Sequence, residues 1–96
     1  MQKIPVPEEL LRLREQIDAL DEELLQVLAK RFQVTAQVGM LKAINGLDSL
    51  DEEREARKLE TLQAAALEKE LNPGFIGELF QMIFAEVVNN HQSYKQ

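Results

Sequence analysis

The chain has 96 residues, enough for a single domain. Seventeen acidic and eleven basic residues give a formal net charge of −6, which argues against a nucleic-acid or anionic-membrane surface as its main business. With no cysteine and one histidine, disulfides, thiolate metal sites and a His-rich zinc site are excluded.

Residues 1–6 are expected to be a disordered arm. Pro7 suits the first turn of a helix, and Glu8 and Glu9 suit the positive end of its dipole. Leu10, Leu13, Ile17, Leu20, Leu24 and Val27 then recur at spacings of three and four. The stripe continues through Arg31, Val34, Val38 and Leu41, with Gly39 as the sole glycine, and fades at the stop signal Asn45-Gly46. This predicts one helix of about 37 residues, roughly 55 Å long. Ser49-Leu50-Asp51-Glu52 has the form of a capping box, so a second helix is expected from Ser49 through Arg54, Leu59, Leu62 and Ala66 to about Leu71. A third is expected from Asn72-Pro73, a cap residue followed by proline. Its apolar positions are Ile76, Leu79, Phe80, Ile83, Phe84, Val87 and Val88, and it fades at His91, leaving 93–96 as a tail. No segment alternates like a strand. No charged-then-apolar leader opens the chain and no apolar run approaches about 18 residues, so a soluble cytoplasmic protein is expected.

A compact chain of about 100 residues has a radius of gyration near 13 Å. A helix of about 55 Å is too long for such a globule, and two helices of about 20 residues cannot cover its stripe. A second copy of the chain can, and twofold dimers are the commonest assembly. The expected fold is all-α: three helices, one very long, in a homodimer.

Two cations interrupt the stripe. Arg31 and Lys42 are eleven residues apart and fall within about 20° of each other around the axis, with Thr35 and Val38 between them. A buried charge needs an anion. That anion is either a carboxylate of the bundle (Glu55, Glu60 or Glu86) or a bound ligand. Arg14 lies seventeen residues before Arg31, roughly 25 Å away along the axis and about 100° around it. It is either an exposed arginine or, in an antiparallel dimer, a visitor to the other subunit's pocket. Asp51, Arg54 and Glu55 open the second helix and, taken alone, make a solvated charged turn.

Taken together, LRLREQIDALDEELLQVLAKR, VGMLKA, DEERE and LFQMIFAEVV form a pattern. From about Leu11 to His91 the chain resembles the all-helical chorismate mutase family, intertwined three-helix homodimers of aromatic amino-acid biosynthesis. The resemblance implies rearrangement of chorismate to prephenate, with no cofactor and no metal. It implies that Arg31 binds a substrate carboxylate and that Arg14 holds a carboxylate from the other subunit. Lys42 would face the ether oxygen of the breaking bond, and Glu55 would accept from the ring hydroxyl. Asp51 would shape the hydroxyl end of the pocket, Arg54 would order nearby carboxylates, and Val38, Phe84 and Val88 would be apolar walls. Two positions depart from the family. Val87 stands where many members have serine. His91 stands where the family usually has Gln or Glu donating to the ether oxygen. His91 is therefore either an exposed histidine on a fraying end or a donor beside Lys42.

Two rivals accompany this reading: an isochorismate pyruvate-lyase of salicylate synthesis, similar in fold, and a non-catalytic helical dimer serving regulation. No dehydratase, dehydrogenase or regulatory domain is recognisable, so intrinsic feedback control by Phe or Tyr is not expected. Docking onto another shikimate-pathway enzyme is compatible with the sequence, which identifies none.

Overall fold

The structure is a computed structural model that describes residues 6–48 and 51–92. These form three helices, α1 (Glu8–Ile44), α2 (Glu52–Glu68) and α3 (Pro73–Gln92), with no strand among the described residues. Val6 is exposed; the rest of the expected arm and the 93–96 tail lie outside the described residues. None of the described helices is long and apolar enough to cross a membrane. The chain divides into two units, Met1–Gln33 and Val34–Gln96.

The first unit holds most of α1. Its first turn closes with the Leu11 amide donating to the Pro7 carbonyl at 3.2 Å, and Arg12 pairs with Glu8 one turn away at 3.4 Å. Both side chains are exposed, so that pair adds little. The predicted stripe runs along this helix and is open to solvent in the single chain: Ile17 is 54%, Leu20 61% and Leu24 65% exposed.

The second unit contains the end of α1 and all of α2 and α3. Helix α1 stops as the Asn45-Gly46 signal predicts. Gly46 takes a left-handed φ of 68°, which lets the Leu47 amide reach the Lys42 carbonyl at 2.7 Å and the Gly46 amide reach Ala43 at 3.3 Å. This crossed pair satisfies two carbonyls that the helix leaves open.

Helix α2 starts later than the capping-box reading places it. The cap is Asp51, extended at φ −128° and ψ 91°. Its carboxylate accepts from the Arg54 amide at 3.0 Å, while its carbonyl takes the Glu55 amide at 3.1 Å. The Asp51 carboxylate is itself a favoured cap and complements the positive helix end, and this fixes the start at Glu52. Ser49 lies outside the described residues.

The far end of α2 also differs from expectation. It closes at Glu68 rather than near Leu71. The Leu71 amide donates to Ala66 at 2.8 Å and the Glu70 amide to Leu67 at 3.1 Å. This is the same crossed pair, built on Glu70 at φ 60°. The start of α3 is as predicted: the Asn72 side-chain oxygen accepts from the Gly74 amide at 2.9 Å and the Phe75 amide at 3.3 Å.

Helices α2 and α3, joined by 69–72, pack as a helical hairpin. Ala66 and Phe84 are the buried apolar side chains among the described residues. Phe80 and Phe84 meet at 6.1 Å between ring centres, tilted by 55°, within the favourable range for aromatic pairs. Gln63 crosses the hairpin over buried Gly77 to donate to the Pro73 carbonyl at 3.1 Å. The last turn of α3 returns to α1, where His91 contacts Thr35 and Gly39.

Candidate active site

Helices α2 and α3 enclose a groove of about 520 Å³. Helix α2 contributes Glu52, Glu55, Ala56 and Leu59, and α3 contributes Gln81, Phe84, Ala85 and Val88. Each set steps by three, one and three, so each is one continuous helix face. The walls are mostly apolar. Two carboxylates, Glu52 and Glu55, sit at the first turns of α2, and Glu55 is half-buried while Glu52 is exposed. Because the hairpin is antiparallel, this acidic end faces the C-terminal half of α3 and Gln81 lies toward the other end.

Of the residues anticipated for a site, the groove gathers Glu55, Phe84 and Val88. Of the others, Val38, Lys42, Asp51, Arg54, Val87 and His91 lie in the same unit as the groove but not in its lining. Lys42 is half-buried in the last turn of α1, and Val38 is 42% exposed one turn earlier. Asp51 has one carboxylate oxygen engaged as the α2 cap. Arg54 is exposed and Val87 half-buried. In the first unit, Arg14 is exposed and Arg31 half-buried.

His91 is not the exposed end residue that one reading of the sequence expects. It is 3% exposed, and its Nε2 lies 2.8 Å from the Thr35 carbonyl oxygen. A carbonyl only accepts, so Nε2 carries a proton in this contact. A neutral ring then has no proton left on Nδ1.

The sequence reading missed Glu52, Ala56, Leu59, Gln81 and Ala85 as groove residues. The signal was available: Glu52, Leu59, Gln81 and Ala85 stand three or four residues from Glu55, Phe84 or Val88, and Ala56 stands next to Glu55. Thr35 and Gly39 were visible on the stripe, but their role as the seat of a histidine depends on a contact 56 residues away.

The fold and groove define a class first: an all-helical domain with a mostly apolar, acid-ended cleft of small-molecule size. Residues 13–92 match the family described as Chorismate mutase type II, and the chain belongs to that family. It is 38% identical over 87 residues to the bifunctional chorismate mutase/prephenate dehydratase of Escherichia coli (strain K12), an alignment covering 91% of this chain and 22% of that protein. It is 37% identical over 78 residues to the T-protein of Enterobacter agglomerans, covering 81% of this chain and 21% of that protein. The T-protein of Haemophilus influenzae is 32% identical over 87 residues, covering 91% and 23%. The chain thus spans about a fifth of the length of the curated relatives it matches.

Proposed function

We propose that the chain is a chorismate mutase, a soluble cytoplasmic isomerase of aromatic amino-acid biosynthesis that converts chorismate to prephenate. The observation that carries this is the groove. In a chain of this family it brings together Glu55, Phe84 and Val88, a carboxylate and two apolar walls assigned to substrate from sequence alone. In the reaction, one C–O bond of the enolpyruvyl ether breaks as one C–C bond to the ring forms, with no proton, electron or group lost. Catalysis then has two sources. The walls hold the enolpyruvyl group over the ring, and fixed cations stabilise the charge that grows on the ether oxygen. A million-fold acceleration requires about 8 kcal/mol.

Lys42 is assigned to the ether oxygen. Glu55 accepts from the ring hydroxyl, with Asp51 and Arg54 ordering that end. Arg31 and, from a second copy, Arg14 take the carboxylates; all of these roles rest on the family resemblance. His91 can reach toward the ether oxygen only through Nδ1, and only as an imidazolium, because Nε2 is engaged.

The same reading requires a homodimer. Two buried apolar side chains among the described residues are a small core for a 96-residue chain, while α1 exposes an aliphatic stripe from Leu10 to Val27. A second copy laid along α1 covers that stripe and delivers Arg14.

Incubation with chorismate and, separately, isochorismate tests the proposal. Prephenate formation from chorismate without pyruvate release supports it. Pyruvate release from isochorismate alone would make the chain a lyase, and a folded dimer that consumes neither would make it a non-catalytic module.

A further inference from the structure

His91 is the single histidine of the chain. It is buried although it stands next to the last residue of α3. Its Nε2–H donates to the Thr35 carbonyl across 2.8 Å. In an α-helix that carbonyl already accepts the amide of residue 39, and its second lone pair is open to a side chain. The ring reaches the helix backbone because residue 39 is glycine. A Cβ placed on Gly39 would fall 2.7 Å from Nε2 and 2.9 Å from Cγ of His91, inside van der Waals contact. A glycine within a helix is unfavourable; the imidazole it admits accounts for this one.

We propose that His91 is a positioning residue. Its Nε2–H clips the last turn of α3 onto α1 across Gly39, and so sets Val87 and Val88 in register with Lys42, which stands three residues beyond Gly39. The effect on catalysis rests on the mutase reading above; the clip itself does not. Its chemistry also separates it from direct donation to substrate. Nε2 keeps its proton in both the neutral and the charged ring, so the clip does not depend on the ring's charge. A donor at Nδ1 exists only in the charged ring and would fade as pH rises.

The test has two arms on the full chain. In the first, histidine is labelled with 15N and the protein is examined by NMR without substrate. The clip gives a resolved, slowly exchanging Nε2–H resonance that persists across about pH 5–8 and disappears in Gly39→Ala. A ring whose Nε2–H exchanges as freely as in a peptide overturns the proposal. In the second arm, kcat and KM for chorismate are measured for wild type, His91→Ala, Gly39→Ala and the double variant. Both single variants lose about 10- to 100-fold, mainly in kcat, and Gly39→Ala adds no loss once the ring is gone. An equal Gly39→Ala loss in both backgrounds overturns the clip. So does a wild-type kcat that falls with rising pH by a dependence absent from His91→Ala. His91→Ala, which removes atoms rather than adding them, sustains this arm if Gly39→Ala fails to fold. Wild type with the resonance but no turnover sinks the mutase reading and leaves the clip standing; turnover without the resonance does the reverse.

Discussion

Leu24→Ala tests the proposed dimer separately from the fold of the single chain. Leu24 is 65% exposed in one copy, so the substitution removes no contact from the protomer's core. Alanine is also at least as good a helix former as leucine, so α1 should keep its helicity. Burying a whole leucine side chain contributes about 1.5–3 kcal/mol. Covering the two-thirds of Leu24 that is open contributes about 1–2 kcal/mol, and twofold symmetry counts it twice, giving about 2–4 kcal/mol per dimer. The dimer dissociation constant should then rise about 30- to 700-fold. Sedimentation equilibrium over a dilution series measures this, with circular dichroism as the control on helicity. A wild type that is monomeric at micromolar concentration refutes the reasoning outright. An unchanged dissociation constant in Leu24→Ala shows that the stripe lies outside the interface.

Lys42→Ala should lower kcat by about 10²- to 10³-fold, the size of losing one preorganised donor to a developing oxyanion, with a smaller change in KM; steady-state kinetics on chorismate reads both. If Arg14 acts across the dimer, Arg14→Ala and Arg31→Ala subunits, each inactive alone, should recover about a quarter of wild-type activity when co-expressed. Half of randomly assorted dimers are mixed, and each mixed dimer has one intact pocket. Glu70→Gly should stabilise the chain by about 1 kcal/mol, because glycine adopts the left-handed conformation of that helix end without a side-chain clash. At fixed protein concentration the melting temperature should rise by about 4–8 °C, and a fall would mean that the Glu70 side chain contributes something glycine cannot.

The parts of the fold legible in the sequence are those written in local chemistry. Both ends of α1 follow from Pro7 and Asn45-Gly46, and the start of α3 from Asn72-Pro73. The two misplaced boundaries belong to α2. Its start was claimed by a serine three residues before a glutamate, when Asp51 offered an equally good cap closer in. Its end was missed because Glu70 holds a conformation that sequence reasoning reserves for glycine or asparagine. The site divides the same way. Phe84 and Val88, repeating at helical spacing, could be placed on one face and do line the groove; Glu55 beside them came from the family resemblance, since alone it reads as part of a solvated turn. His91 could not be read locally: a polar residue near a chain end looks solvated until the backbone of another helix, bared by a glycine, comes within reach.

Charge arithmetic limits how such a site can work. A protein of net charge −6 repels a dicarboxylate at long range, and two of its carboxylates, Glu52 and Glu55, line the groove. Beyond about 8 Å at physiological salt that repulsion is screened, so it acts on encounter more than on the bound state. Attraction must therefore be supplied at contact distance, by long cationic side chains against mostly apolar walls. There the local dielectric is low, and each charge-assisted hydrogen bond is stronger than in water. The same walls make a stray carboxylate costly, which suits the proposed pairing of Glu55 with a neutral hydroxyl over one with the anionic end of the substrate. On the mutase reading proposed above, removing the apolar walls would therefore weaken the cations even with every charge in place.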